Sequence, residues 1–156
     1  MNALTIIIAK YLFIVIIGFA FVVGLMQRPA QRKDFISHLI ASGILAFILT
    51  KLAGMVYFDP RPFVTNHTIP LIPHASDNGF PSDHTVLSFV IAFAVYRLNQ
   101  RMGLILMILA ALVGVARIHA QLHSPLDIVA AIIIAVIAVI GARSILHFSS
   151  KGNRLK

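Results

Sequence analysis

Three polar clusters hold most of the side chains in this sequence that could do chemistry. They occupy residues 51–62, 81–84 and 117–127, and the third combines Arg117 and His123 within a few positions. The chain as a whole is strongly apolar, with 59% hydrophobic and only 12% charged residues. Ionisable residues in such surroundings are costly and usually mark a functional site. We therefore expect the three clusters to assemble into one site.

The basic residues of these clusters suit the binding of a phosphate group. The negative charge on phosphate oxygens must be stabilised while the group is transferred. A guanidinium stays charged and binds such oxygens through paired hydrogen bonds, so we expect Arg61 and Arg117 to hold the phosphate, with Lys51 as a movable point charge. Ser82 could donate its hydroxyl, and a helix beginning near it would add backbone N–H donors.

The composition predicts an integral membrane protein. The 156 residues have a mean hydropathy of +0.93 and about half the charge of a soluble domain, which excludes a soluble protein. Cysteine is absent, so disulfides, thiolate metal sites and thiol nucleophiles are excluded. We see no internal repeat and expect a single domain over residues 1–156.

Five stretches approach the roughly 20 apolar residues that a helix needs to cross a bilayer. They are residues 4–26, 36–58, 85–100, 103–120 and 125–146. We predict an all-α bundle of about five transmembrane helices. The first stretch lacks the basic start and the small-residue cleavage site of a signal peptide, so we interpret it as a span.

The distribution of charge orients this bundle. Threading five spans alternately places residues 27–35, 97–102 and the C-terminal tail on one side, which the positive-inside rule makes cytoplasmic. The basic residues on that side are Arg28, Arg32, Lys33, Arg97, Arg101, Arg143, Lys151, Arg154 and Lys156. The three clusters then meet at the extracytoplasmic face. A basic surface beside anionic lipid explains the net charge of +8, so we expect no nucleic-acid partner.

The three clusters, in this order, resemble the signature of the type 2 phosphatidic acid phosphatase superfamily. Its usual motifs are K-x6-RP, PSGH and SR-x5-H-x3-D. The matching segments are Lys51-x9-Arg61-Pro62, Pro81-Ser82-Asp83-His84 and Ala116-Arg117-x5-His123-x3-Asp127. The resemblance covers about residues 36–146. The short length and the PSDH variant make the chain most similar to bacterial undecaprenyl-diphosphate phosphatases of the bacitracin-resistance type.

The chain departs from this signature at three positions. Lys51 lies three residues, nearly one helical turn and about 4.5 Å, before position 54, where the family spacing has lysine and this chain has Gly54. Ala116 lacks the hydroxyl of the usual serine. Asp83 replaces glycine beside His84, and its carboxylate would favour the imidazolium form, which makes Asp83 a possible modulator.

The resemblance implies a division of catalytic roles. His123 would attack phosphorus and form a phosphohistidine, while Asp127 holds the other ring nitrogen. His84 would protonate the leaving oxygen and later act as base on a water molecule. No metal or other cofactor is expected, because the arginines neutralise the phosphate charge.

Each cluster alone also has a structural interpretation. Ser124, Pro125 and Asp127 suit the first positions of a helix. Residues 81–84 could start a helix, and residues 59–62 could end one. The joint occurrence of the clusters on one face favours a site.

Two further groups of polar residues remain open to interpretation. His119 and His123 are four residues apart, as metal ligands on one helix face would be, but no third ligand has suitable spacing. His67, His74 and Asp77 lie in the long loop between the first two clusters, where substrate contact and simple solvation are both reasonable.

The favoured function is hydrolysis of undecaprenyl diphosphate to the monophosphate, which would recycle the lipid carrier for peptidoglycan synthesis. A phosphatidate or phosphatidylglycerol-phosphate phosphatase is the first alternative, and a small transporter or channel is an alternative of another class. The expected location is the bacterial inner membrane, with the site facing the periplasm or the exterior. The lipid substrate and membrane lipids are the expected partners, and no protein partner can be inferred.

Overall fold

The computed structural model describes residues 2–152, and within that range its regular structure is entirely helical. The helices are α1 (Asn2–Leu25), α2 (Pro29–Val56), α3 (Pro62–Thr65), α4 (Asp83–Leu98), α5 (Gln100–His119) and α6 (Pro125–Gly152). The expected all-α membrane fold is confirmed. Arg154 and Lys156, counted above in the basic tail, lie outside the described residues, and of Lys151 only the helical backbone is described.

Four of these helices are long and apolar enough to cross a membrane. They are α1, α2, α5 and the Pro125–Phe148 part of α6. The most apolar 18-residue segment of each has a mean hydropathy of 2.0 to 2.8. The chain is a multi-pass membrane protein. The remaining long helix, α4, has only 16 residues, of which nine are buried.

Helix α4 is the centre of the bundle. It packs against α1, α2, α5 and α6. Because protein rather than lipid surrounds most of α4, its length does not have to match the thickness of the bilayer. This position explains why α4 corresponds to the shortest of the five predicted spans.

The helix boundaries differ from the expected spans mainly on the side of the basic turns. Helix α2 begins at Pro29 instead of near residue 36, because proline is well suited to the first helical position. The connection between α4 and α5 is also shorter than expected. Asn99 alone separates them, and its side-chain oxygen accepts a hydrogen bond from the Met102 N–H at 3.1 Å, which caps α5.

The three polar clusters meet at one end of the bundle, as alternate threading predicts. The end of α2, the short helix α3, the start of α4, the end of α5 and the start of α6 all lie there. Helix α1 reaches the same end, where the backbone oxygen of Ala9 lies 3.5 Å from Nη1 of Arg117. At the other end, Arg97 of α4 and Asp34 of α2 form an ion pair of 3.7 Å.

The tight hairpin of α4 and α5 depends on Gly103. A Cβ atom at this position would overlap the backbone of Tyr96, whereas one at Gly18 of α1 would meet no atom within 4 Å. We expect Gly103→Ala to lower the free energy of unfolding by about 1–3 kcal/mol through overpacking. Gly18→Ala should be neutral or slightly stabilising, since alanine favours the helix. Thermal unfolding of both variants in detergent checks this, and equal melting temperatures would contradict it.

Candidate active site

A tight reversal at the end of α5 brings His123 back towards the bundle. Gln121 adopts a left-handed conformation with φ of 63°, and its N–H bonds to the carbonyl of Ile118. The N–H of Leu122 bonds to the carbonyl of Arg117 at 3.1 Å. These two bonds are those of a Schellman motif, which normally uses glycine at the left-handed position. His123 follows Leu122 and is thereby placed at the end of the bundle, where its side chain is only 3% exposed.

The two ring nitrogens of His123 face different partners. Nδ1 lies 2.8 Å from the carbonyl oxygen of Gly79 and 3.2 Å from Oδ2 of Asp127. Nε2 lies 3.2 Å from Nη2 of Arg117 and 3.5 Å from Nη1 of Arg61. Because guanidinium groups only donate, Nε2 must carry the lone pair and Nδ1 the proton. Nε2 is therefore the ring nitrogen that carries the lone pair, and it faces two cations.

The neutral form of His123 is favoured by its surroundings. Burial lowers the pKa of its imidazole, and the charges of Arg117 and Arg61 lower it further, against the raising effect of its hydrogen bond with Asp127. A neutral ring keeps the Nε2 lone pair available below the ordinary histidine pKa. This is the protonation state that an attacking histidine needs.

Asp127 makes the contacts of both interpretations that the sequence offered, helix capping and contact with His123. Its Oδ2 accepts from the backbone N–H of Ser124 at 2.9 Å, and its own N–H lies 3.3 Å from Oγ of Ser124, which forms a capping box at the start of α6. The same Oδ2 contacts Nδ1 of His123. Helix capping and imidazole orientation are therefore compatible in one carboxylate.

Arg61 is fixed by three hydrogen bonds from its guanidinium. Nε donates to Oδ1 of Asp77 at 2.7 Å, Nη1 to the carbonyl of Leu122 at 2.9 Å and Nη2 to the carbonyl of Asn78 at 3.4 Å. The side chain of Asp77 is largely exposed, and the hydrogen bond from Arg61 lowers its pKa. Arg61 is thus a preorganised cation that is only 6% exposed.

Arg117 is the second buried cation, and it is less fully bonded. It is 4% exposed, and among the described residues its Nε has no hydrogen-bond partner. Two buried guanidinium groups beside one neutral imidazole repel each other, so an anion placed between them would be strongly favoured.

A cavity of about 390 Å³ opens beside these groups. Its walls include Thr50, Lys51, Gly54, Met55, Arg61, His74, Asp77, Asn78, Phe80, Pro81, Asp83, His84, Arg117 and His123. The volume lies within the usual range for small-molecule sites. Six of the eight predicted site residues line this cavity, together with His74, Asp77, Asn78 and Phe80 of the long loop.

His84 presents its ring to the cavity from the first turn of α4. Phe13 of α1 packs against it edge-on, with ring centroids 4.5 Å apart. Asp83 lies in the same cavity wall, but its carboxylate forms no hydrogen bond or ion pair within residues 2–152. The proposed influence of Asp83 on His84 stays a prediction.

Lys51 reaches the cavity although its spacing departs from the family motif. Position 54, where lysine would be expected, is closely packed: a Cβ atom on Gly54 would lie 3.1 Å from the carbonyl oxygen of Phe80. Lys51 lies one turn deeper on α2 and lines the same cavity.

Ser82 and Asp127 are the two predicted site residues outside the cavity wall. Ser82 is fully buried at the N-cap of α4, where its Oγ accepts a hydrogen bond from Thr85 at 3.0 Å. Its expected contact with phosphate stays a prediction.

Asn78 is a structural centre of the site that the sequence did not indicate. Its Oδ1 accepts from the N–H groups of Asp59 and Phe80, at 3.0 and 2.9 Å. Its Nδ2 donates to the carbonyls of Gly54 and Tyr57, at 3.0 and 2.9 Å. One side chain therefore joins the end of α2 to Asp59 of the first cluster and to Phe80, the residue before the second cluster. The Asn-Gly pair of residues 78–79 signals a turn in the sequence, but not this role.

The histidines whose roles the sequence left open differ in their position relative to the cavity. His74 lines the cavity together with Asp77, whereas His67 and His119 do not. Burial and the charge of Arg61 lower the pKa of His74. Within residues 2–152, no three histidine or acidic side chains are grouped as metal ligands would be.

Comparison with protein families agrees with this geometry. The model of the PAP2 superfamily matches residues 35–151, which include all three clusters. The chain belongs to the PAP2 superfamily. The resemblance seen in the motifs is thereby confirmed.

Three relatives carry similar sequences. Undecaprenyl-diphosphatase BcrC of Bacillus subtilis is 36% identical over 107 residues, which cover 69% of this chain and 55% of that protein. Bacitracin transport permease protein BcrC of Bacillus licheniformis is 30% identical over 90% of this chain and 69% of its own length. Putative undecaprenyl-diphosphatase YbjG of Escherichia coli is 32% identical over 99% of this chain and 77% of its own length.

A solved structure shares the fold. The crystal structure of Aquifex aeolicus LpxE matches with a TM-score of 0.66 and 26% sequence identity, covering 91% of this chain and 93% of that one. The similarity extends over nearly the whole PAP2 bundle described here.

The hydrogen bonds of Asn78 predict a large effect of a small substitution. Asn78→Asp keeps the acceptor but replaces the donor with an oxygen facing the carbonyls of Gly54 and Tyr57. We expect it to lower the free energy of unfolding by about 2 kcal/mol. Asn66→Asp is the control, since its exposed amide bonds only to the Gln121 side chain, and it should change stability by less than about 0.5 kcal/mol. Thermal unfolding in detergent measures both, and equal shifts would argue against the proposed centre.

Proposed function

We propose that this chain hydrolyses a lipid diphosphate through a phosphohistidine formed on His123. The observation that carries the proposal is the position of the His123 Nε2 lone pair, which faces Arg61 and Arg117 within a cavity of suitable size. A phosphate bound between the two arginines would lie directly in front of this nitrogen.

In the first step, Nε2 of His123 attacks the terminal phosphorus. The bond between this phosphorus and the bridging oxygen breaks, and His84 delivers a proton to that oxygen, so that the lipid monophosphate leaves. The positive charge that develops on the imidazole is stabilised at Nδ1 by Asp127 and by the carbonyl of Gly79. Arg61 and Arg117 stabilise the charge on the transferred phosphoryl oxygens.

In the second step, water releases the phosphate. His84, now neutral, removes a proton from a water molecule that attacks the phosphorus of the phosphohistidine. The bond to Nε2 breaks, inorganic phosphate leaves, and the neutral His123 is restored. His84 thus acts as acid and then as base, as expected for one group that serves two half-reactions.

An apolar groove next to the cavity supports a lipid as the substrate. It has a volume of about 300 Å³ and runs between α2 and α4, where its walls include Gly43, Ala46, Phe47, Val86, Leu87 and Val90. Its remaining lining residues, Thr50, Lys51 and Asp83, also line the cavity. A polar cavity that continues into an apolar groove fits a molecule with an anionic head and an apolar tail.

Undecaprenyl diphosphate is the substrate that we favour, and recycling of this carrier is the proposed role. The names of two relatives, from B. subtilis and E. coli, support this choice. The chain spans only 55% of the length of the B. subtilis protein, so the substrate in that protein's name is assigned to this chain only as a proposal. Hydrolysis of phosphatidate or phosphatidylglycerol phosphate would use the same catalytic groups.

The transporter alternative has less support. The B. licheniformis relative is named a transport permease. A path for an ion or a charged solute would need polar groups along the spans. Residues 39–50, 85–96, 102–116 and 128–142 form the central parts of α2, α4, α5 and α6, and they contain no Asp, Glu, Lys, Arg or His. The ionisable residues lie near the two ends of the bundle instead.

The orientation of the site is also part of the proposal. Arg28, Arg32, Lys33, Arg97, Arg101 and Arg143 lie at or near the end of the bundle opposite to the cavity. The positive-inside rule assigns that end to the cytoplasm. The cavity would then open at the outer leaflet of the bacterial inner membrane.

The proposed substrate can be tested directly with purified protein in detergent. We expect inorganic phosphate to be released from undecaprenyl diphosphate with added chelator and without Mg²⁺, because Arg61 and Arg117 supply the positive charge. Phosphatidate and phosphatidylglycerol phosphate serve as comparison substrates. A strong preference for either would replace the favoured lipid, and inactivity on all three would reject the phosphatase function.

The roles of the two histidines make different predictions. His123→Ala should reduce turnover by a factor on the order of 10⁴ or more and should abolish trapping of a labelled phosphoenzyme. His84→Ala should also lose turnover but should still form phosphoenzyme from a substrate whose leaving group needs no proton. His119→Ala, at an exposed histidine outside the cavity, is the control and should remain active. Undiminished phosphoenzyme formation in His123→Ala would rule out the proposed nucleophile.

A further inference from the structure

Thr50 carries a buried hydroxyl that the fold does not use. The residue is 5% exposed, and among the described residues its Oγ1 has no hydrogen-bond partner. A threonine hydroxyl inside a helix commonly bonds to the carbonyl four residues earlier, which here is that of Ala46, but this bond is not formed. An unpaired buried hydroxyl destabilises a protein, so a ligand that becomes its partner is favoured.

The position of Thr50 identifies where this partner would lie. Thr50, Lys51 and Asp83 are the lining residues that the polar cavity and the apolar groove have in common. Lys51 also contacts the groove, since its Nζ lies 5.4 Å from the ring centroid of Phe47. Thr50 and Lys51 therefore mark the place where the head of an amphiphilic substrate joins its tail.

A diphosphate has a second phosphate at this place. When the terminal phosphate lies in front of His123 and the tail lies in the groove, the phosphate that stays on the lipid must lie between them. A hydroxyl donor and an ammonium group are suited to its oxygens. Lys51 lies one turn deeper than the family spacing would put it, which moves its charge towards the groove.

We propose that Thr50 and Lys51 form the binding site for the retained phosphate of a lipid diphosphate. This inference rests on the proposed function and deepens it. Thr50 is a binding residue outside the three motifs. The site favours diphosphates over monophosphates, because a monophosphate bound for transfer to His123 leaves Thr50 without a phosphate oxygen to contact.

The variant Thr50→Val removes the hydroxyl and keeps the shape of the side chain. We expect kcat/KM for undecaprenyl diphosphate to fall about tenfold or more, as for loss of a hydrogen bond to a charged group. The inhibition constant of inorganic phosphate, which probes only the transfer site, should change less than about twofold. The melting temperature should stay equal or rise, because an unpaired buried hydroxyl is lost. Thr50→Ser should retain most of the activity, since it keeps the donor.

The controls separate this inference from the proposed function. Thr65→Val makes the same change at an exposed hydroxyl outside the cavity and should leave all three quantities unchanged. If the wild-type protein releases no phosphate from the diphosphate, the proposed function fails. If the wild type is active, then unchanged kcat/KM in Thr50→Val, an equal weakening of phosphate inhibition, or a Thr50→Ser variant as defective as Thr50→Val would each overturn the role of Thr50.

Discussion

The convergence of two buried guanidinium groups on one imidazole is the interaction on which the site depends. Arg61 and Arg117 can approach Nε2 of His123 only if that nitrogen is unprotonated. A protonated Nε2 would itself be a hydrogen-bond donor facing two guanidinium donors. The arginines therefore fix the tautomer of the ring and face the nitrogen that carries the lone pair. Their mutual repulsion also makes the empty arrangement costly and an anionic ligand favourable.

Holding these cations in place requires backbone and loop groups from distant parts of the chain. Arg61 is bonded to the carbonyl of Leu122, and Arg117 approaches the carbonyl of Ala9. Oγ of Ser124 donates to the Asp59 carboxylate at 2.6 Å, which links the first cluster to the third. Gly79 is tightly enclosed, since a Cβ atom there would lie 3.1 Å from Oδ2 of Asp127. The loop between α3 and α4 is thus a part of the site and more than a connection.

Helix α4 belongs both to the apolar bundle and to the wall of the polar cavity. This helix is short and central, and its first turn supplies Asp83 and His84 to the cavity. Its next turns line the apolar groove with Val86, Leu87 and Val90. One helix therefore lines both the polar cavity and the apolar groove. Its burial within the bundle is what permits it to be shorter than a span.

The sequence by itself determined the membrane class, the helical fold, the convergence of three clusters and six of the residues that line the cavity. Hydropathy is a sum over neighbouring residues, and alternate threading follows from the number of spans, so neither requires knowledge of contacts. Only the tertiary structure decided which nitrogen of His123 faces the arginines, that Asn78 joins the clusters, that Ser82 lies outside the cavity wall and that Thr50 lies between cavity and groove. These features depend on contacts between residues far apart in the chain, and local sequence patterns do not encode such contacts.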